Sequence, residues 1–306
     1  MAESARKDLQ TATLARVENP PQDTSNLRVI ALSVLLIFLL AVLWESSKAF
    51  ARSNNYALNI VGGSVDLTFL NDSQLPHLGD IARALGEPAQ RNGPPLYQDL
   101  AKSAVSTFQA AVFGFFIGGA IGFTLAVIFA HSELLQRGFL PYVVASQTVP
   151  ILAIAPMIVI WLSRAGHTDL SVPFIAAYLT FFPVTIYTLR GLTSVPETAL
   201  ELMQSYAATR REILFKLRIP NALPQIFTAL KISATASVVG AIIGELPSGI
   251  QTGLGVAILN FSRYYNQSPP RLWATILVSG LVGILFFSLI ALVERLVVTW
   301  RVPGNE

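Results

Sequence analysis

Apolar and polar positions alternate along this chain in long blocks. Six stretches are almost free of charge: 29–44, 103–130, 138–163, 170–189, 219–244 and 272–293, the fifth interrupted only by Lys231. A helix crosses the hydrocarbon core with about 20 apolar residues, so the pattern predicts six transmembrane helices in an all-α membrane protein. The first stretch is short, and Ala49-Phe50-Ala51 has the small-x-small form of a signal-peptidase site. The polar leader before it is long for a signal peptide, which favours a retained helix over 28–50. Lys and Arg concentrate in the short segments that share a side with the N-terminus, including Arg137, Arg190, Arg210, Arg211, Lys216 and Arg218. By the positive-inside rule both termini are cytoplasmic.

Between the spans the pattern changes period. Residues 1–27 are polar and aperiodic and read as a cytoplasmic tail, as do 301–306. Residues 51–102 form an outer segment in which Leu78, Ile81 and Leu85 have the spacing of a short amphipathic helix. Residues 103–300 form the core, with an inner loop over 191–223. Within that loop, Ser194-Val195-Pro196-Glu197 fits a capping box with Ser194 as N-cap. Val195, Ala199, Leu202 and Tyr206 then make an apolar stripe opposite Glu197, Glu201 and Ser205. Thr209-Arg210-Arg211-Glu212 fits a second capping box, and Ile213, Leu214 and Leu217 form the apolar face behind it. Two short helices with a bend near Ala207 and Ala208 follow. They suit either an interfacial pair lying on anionic lipid or a docking element for a cytoplasmic protein.

Composition narrows the class. The chain is 53% hydrophobic and 13% charged, against about 25% charged in soluble domains. A net charge of +3 follows from basic inner loops, so no nucleic-acid partner is expected. With no cysteine there is no disulfide framework, thiolate metal site or Cys nucleophile. No G-x-x-x-x-G-K-[ST] phosphate loop is present either. No catalytic, metal or cofactor-binding residues are assigned.

Several features fall inside the spans. Gly114, Gly118 and Gly122 share one helix face and predict close packing, within the chain or against a second copy. Pro150 and Pro156 interrupt the third span beside Ser146, Gln147 and Thr148, as expected of a segment lining a pathway or of simple kinked packing. Pro173 and Pro183 predict similar irregularity in the fourth. Lys231 reads as an ion-paired, snorkelling or substrate-facing residue. Glu245 is followed by Pro247, Gly249, Gly253 and Gly255 and reads as an outer hinge or a solvated helix end. Tyr264, Tyr265 and Trp273 suit an interfacial belt or an outer docking surface. Tyr178, Phe181 and Phe182 would suit a flat heterocycle or simple packing.

The register Glu201-x5-Ala207-x9-Leu217-x-Ile219-Pro220 resembles the EAA loop of binding-protein-dependent ABC importers, E-A-A-x3-G-x9-I-x-L-P. Leu202-Met203 replace the two alanines, and Ala207 replaces the glycine. Alanine accepts a left-handed backbone less readily than glycine, which predicts a helical or gently kinked bend. The stretches 146–162, 240–259 and 293–300 resemble, in order, the third helix, the E…GLG segment and the C-terminal end of the nitrate, sulfonate, taurine and bicarbonate importer permeases. The resemblance covers residues 75–300. It implies a type I ABC importer permease fold and a transport subunit of the bacterial inner membrane. It also implies ATP and magnesium bound by partner ATP-binding subunits, a second copy of the permease, and an extracellular or periplasmic solute-binding protein. Glu197, Glu201, Ser205, Tyr206, Ala207, Arg210, Arg211 and Pro220 would then couple to the ATPase. Gln147, Thr148, Pro150, Pro156, Lys231 and Glu245 would line the path. An ion-coupled transporter or a membrane scaffold recruiting a cytoplasmic protein are the alternatives from other classes.

Overall fold

The computed structural model describes residues 24–60, 63–89 and 93–299. Of the expected tail at 1–27, residues 1–23 lie outside the described residues, as does the tail at 301–306, while 24–27 are not tail but the first turn of a helix. Two units are distinguished, residues 1–78 and 79–306.

In the first unit, α1 (Thr24–Ser53) carries a span that is apolar on all sides and exposed along most of its length. Its end meets a two-stranded antiparallel hairpin, β1 (Ala57–Ile60) and β2 (Gly63–Asp66), in register Ala57 to Asp66. No strand is evident in the sequence pattern, which is too short there to show alternation. A cluster of polar side chains holds segment 72–78 to the end of α1. Lys48, buried, pairs with Asp72 at 2.7 Å and donates to the Leu75 carbonyl. Glu45 accepts from the Leu78 amide at 2.9 Å and meets His77 Nδ1 at 2.6 Å. Trp44 Nε1 donates to the Pro76 carbonyl. The Lys48 ammonium bonded to Asp72 holds that carboxyl below its usual range.

The second unit begins with the end of α2 (Leu78–Gly86), the amphipathic helix that the Leu78, Ile81 and Leu85 spacing predicts, with Ile81 and Ala84 buried. The spans follow: α3 (Leu96–His131), α4 (Glu133–Ser146), α5 (Ile151–Arg164), α6 (Ser171–Thr193), α9 (Ile219–Ser248) and α11 (Pro269–Val297). Between α6 and α9 lie α7 (Glu197–Ser205), α8 (Arg210–Ile213) and a π-helical turn, Leu214–Arg218. At the other end of α9, α10 (Leu254–Arg263) precedes α11.

Among the described residues five helices are long and apolar enough to cross a membrane, and the α4–α5 pair, bent by 95°, supplies the sixth span. The expected kinked helix over 138–163 is therefore a broken one. Pro150 is the N-cap of α5 at the break, while Pro156 lies inside α5 and Pro141 inside α4. The carbonyls freed there are answered locally, as membrane depth requires. Ser146 Oγ donates to Val143, Thr148 Oγ1 to Ala145 at 2.7 Å, and the Tyr178 hydroxyl of α6 to Ser146. Pro173 and Pro183 do not break α6. Pro173 sits in the first turn, where a missing N–H costs little, and the helix continues through Pro183.

Helix α6 is the centre of the fold: 61% of its apolar window is buried, against 11% for α11. Two glycine stripes explain why. A Cβ on Gly114 would lie 2.5 Å from the Ala176 Cβ, one on Gly118 2.7 Å from the Thr180 Cβ, and one on Gly122 2.8 Å from the Val184 Cβ. The predicted close packing is thus within the chain, α3 on α6. On the other side Gly240 and Gly244 bring α9 onto Ala176 and Val172. Ala155, Ile158 and Val159 of α5 pack on Ile175, and Phe286 of α11 meets Phe108 and Phe115 edge-on at 5.2 and 5.1 Å.

Candidate functional site

The loop between α6 and α9 is a built element. Helix α7 starts at Glu197 after Pro196, whose side chain cannot cap it. The expected Ser194 capping box is not formed: Ser194 is instead the C-cap of α6, donating to the Gly191 carbonyl and accepting from Asn221 Nδ2 at 3.2 Å. Pro196 in extended geometry ends the previous turn and moves the helix start past Ser194. The Thr209 capping box is complete. Thr209 Oγ1 accepts from the Glu212 amide at 3.3 Å, and Glu212 accepts from the Thr209 amide at 2.9 Å.

The bend between the two helices is tighter than expected. Ala207 has φ +55°, in the left-handed region. Its amide donates to Gln204 at 2.8 Å and the Ala208 amide donates to Met203 at 3.0 Å. This is the paired six-to-one and five-to-two closure that usually carries glycine. Two backbone bonds outweigh the strain of a Cβ there, of order 1–2 kcal/mol. Position 207 is where the EAA pattern has glycine, so the turn survives the replacement.

The loop's root is tied to the core from three sides. Leu214 packs with Leu192, Ala222 and Ile226. Arg218 Nη1 donates to the Ala130 carbonyl at the end of α3, at 2.8 Å, and Asn221 joins the end of α6 through Ser194. The π turn stops just before Pro220, which has no N–H for the helix and crowds the carbonyl four residues back. The tip faces outward. Glu197, Glu201, Ser205, Tyr206, Ala207, Arg210 and Arg211 are all exposed, and so are two large apolar side chains, Leu202 at 58% and Tyr206 at 77%. Val195, at the start of the stripe, is buried. Seven of the eight predicted loop residues thus share one exposed element, while Pro220 sits half-buried in the first turn of α9.

The six residues predicted for a path do not converge. Gln147, Thr148 and Pro150 form the α4–α5 break, and Pro156 lies on the exposed face of α5 beside Met157 and Ile160. Lys231 is bonded at 2.8 Å to Glu294 of α11, so its charge ties two helices together. Glu245 is not a solvated helix end: it is 1% exposed. One carboxylate oxygen accepts from Thr107 Oγ1 of α3 at 2.7 Å, and the other from the Gly255 amide at 2.6 Å. Thr107 Oγ1 in turn accepts from the Leu254 amide at 2.8 Å. These are the first amides of α10, left without partners by helix geometry and favouring negative charge. Gly253 and Gly255 are required there. A Cβ on Gly253, at φ +151°, would lie 2.5 Å from the Glu245 Cδ, and one on Gly255 2.9 Å from its Cβ.

Sequence reasoning did not single out Thr107, Asn221 or the Gly240–Gly244 pair. The glycines had a visible signal, the same four-residue spacing as on α3. The two polar partners had none. Beyond the Glu245 staple lies a cavity of about 620 Å³ whose wall includes Asp99, Lys102, Gln251, Asn260, Tyr264 and Arg271. Tyr265 and Trp273, expected beside Tyr264, bond to each other at 3.1 Å.

Residues 101–299 match the family described as binding-protein-dependent transport system inner membrane component. The chain belongs to that family. The formylaminopyrimidine transport permease protein ThiX of Halalkalibacterium halodurans is 34% identical over 181 residues, covering 59% of this chain and 70% of the relative. The riboflavin transport system permease protein RibX of Chloroflexus aurantiacus is 31% identical over 197 residues, covering 64% and 71%. The taurine transport system permease protein TauC of Escherichia coli is 31% identical over 207 residues, covering 66% of each. Among solved structures, an amino acid ABC transporter with histidines superposes with a TM-score of 0.53 at 18% identity, covering 65% of this chain and 94% of the other. The MetNI methionine ABC transporter gives 0.52 at 20%, covering 65% and 94%. The fold is that of a type I ABC importer permease, and the chain is a multi-pass transport subunit of the membrane.

Proposed function

We propose that this permease moves a small polar solute inward, driven by ATP hydrolysis in separate cytoplasmic subunits that grip the loop from Glu197 to Arg218. The carrying observation is the loop's construction: capped, rooted in three spans, and presenting Leu202 and Tyr206 to solvent. An apolar tip on a rigid base suits a groove in a partner protein better than a flexible connector does. Glu197, Glu201, Ser205, Arg210 and Arg211 form its polar surround. ATP and magnesium belong to the partner. Two copies of the permease flank the path, both termini face the cytoplasm, and an outer solute-binding protein delivers cargo.

The solute class we favour is a heterocycle of the vitamin-precursor kind, over oxyanions and sulfonates. The relatives ThiX and RibX, by their names, carry such molecules. The cation deep in the spans, Lys231, is neutralised by Glu294, which leaves it poorly suited to hold an anion.

The test is co-purification from native membrane followed by uptake in proteoliposomes. Recovery with an ATPase and a solute-binding protein, and uptake of a labelled pyrimidine or flavin but not taurine or nitrate, is expected. Glu201→Arg should leave folding and insertion intact while ATP hydrolysis proceeds without uptake. Unchanged uptake in that variant, or recovery of the chain alone, would overturn the reading.

A further inference from the structure

Behind α7, on the inner side, lies a second cavity of about 240 Å³. Arg210, Arg218, His131 and Gln204 supply its polar wall, and Leu200 and Ile213 close it. No carboxylate lines it. Glu212, the acid nearest Arg210 in sequence, is committed to Thr209 and to Lys216 at 2.9 Å. Glu133, beside His131, is bonded to Arg137 at 2.6 Å.

Arg218 is the telling residue. Its Nη1 bonds the Ala130 carbonyl, but its Nε is shut off from solvent and has no acceptor in the protein. Buried donors are almost always satisfied, and a stranded one is costly, more so on a charged group. A guanidinium presents its N–H groups as a planar fork that fits phosphate oxygens. His131 Nδ1 lies 2.8 Å from the Val127 carbonyl, which can only accept. That nitrogen therefore carries the proton, and Nε2 is left as the ring's other polar atom. Positive charge from two guanidinium groups and the absence of acids select one kind of guest.

We propose that this cavity binds a phosphate group, either free inorganic phosphate or the head-group phosphate of an anionic lipid. The bound group bridges Arg218, at the loop's root, to Arg210 in α8. It would stiffen the joint through which the loop meets α3 and α9. Its effect on transport rests on the function proposed above, but binding itself does not.

The experiment uses the full chain in nanodiscs and reads binding directly. Radiolabelled inorganic phosphate is titrated against discs of phosphatidylcholine alone. In parallel, native mass spectrometry looks for retained lipid from discs containing about one quarter phosphatidylglycerol. Saturable phosphate binding identifies the free anion, and a retained phosphatidylglycerol adduct identifies the lipid. In either case Arg218→Gln should weaken binding roughly tenfold or more, and Arg218→Lys should weaken it less. Gln204→Glu, an exposed position whose change spares the fold, should abolish binding by setting a carboxylate in the wall. If the unaltered chain takes up neither probe, or if binding survives Gln204→Glu undiminished, the proposal is wrong.

Discussion

Replacing Glu245 tests the outer staple by donor arithmetic. In the native chain two donors, Thr107 Oγ1–H and the Gly255 amide, end on its two carboxylate oxygens at 2.7 and 2.6 Å in a buried site. Glu245→Ala strands both. Each stranded buried donor costs about 1–3 kcal/mol, so the loss is roughly 2–6 kcal/mol before the surroundings relax. Glu245→Gln keeps the shape and one acceptor oxygen, but turns an NH₂ group toward the second donor, so it strands one group and costs about 1–3 kcal/mol. At 1.4 kcal/mol per tenfold, exchange of the Gly255 amide with solvent should quicken about tenfold in the Gln variant and about a hundredfold or more in the Ala variant. Amides in the middle of α6 serve as the unaffected reference. Hydrogen exchange read by mass spectrometry on the full chain reports both. Equal protection in all three proteins, or a Gln variant worse than the Ala variant, would refute the reasoning.

Other substitutions probe separate joints. Ala207→Gly removes the Cβ strain of the left-handed turn, about 1 kcal/mol, and should slow exchange of the Ala208 amide about fivefold, as hydrogen exchange will show. Gly118→Leu drives a side chain into α6, where even a Cβ would lie 2.7 Å from that of Thr180. Overpacking of this kind costs about 3 kcal/mol or more, visible as a lower thermal unfolding midpoint or as loss of the monodisperse detergent-solubilised protein. At the end of α1, Asp72 sits near Lys48, His77, Glu45 and Arg52. Its carboxyl is held below the ordinary value, so its contribution is fully present above the unfolded value, about 3.9, and is lost as pH falls through the folded one. The unfolding midpoint of the native chain should therefore show an acid step below about pH 4 that is smaller in Asp72→Asn, the remainder belonging to Glu45, whose carboxylate is bonded to His77.

The parts that sequence made legible share a physical cause. Spans are read from desolvation: a run of apolar side chains long enough to cross lipid has few other fates, so the six stretches correspond to five helices and one bent pair. The Thr209 box is legible because a hydroxyl and a carboxylate three residues apart meet the same orphan amides in any helix start. The Ser194 box fails because a second demand competes. Ser194 lies at the end of α6, and its hydroxyl goes to Gly191 and Asn221. Ala207 misleads because intrinsic preference is a weak term, overridden here by two backbone bonds. The partners of Glu245 are 138 and 10 residues away, and no local pattern encodes a contact across 138 residues.

The joints together say where this permease can bend. From Arg210 to Ser248 the backbone is helical without a break for 39 residues, about 58 Å at helical rise. Its middle is held on α6 through Gly240 and Gly244 and on α11 through Lys231. Its weak points are at the ends: the π turn before Pro220, then Pro224 near the inner end, and Pro247 near the outer. Proline removes a rung of the hydrogen-bond ladder, so curvature concentrates there. The inner weak point lies where the loop is fastened, by Arg218 to α3 and by Asn221 to α6. The outer one lies two residues past Glu245, which fastens α9 to α3 and α10. A pull on the loop would therefore tilt α3, α6 and α9 as one body. The glycine stripes leave no slack between them, so the distortion passes to the 95° break between α4 and α5, which the Tyr178 hydroxyl ties to α6.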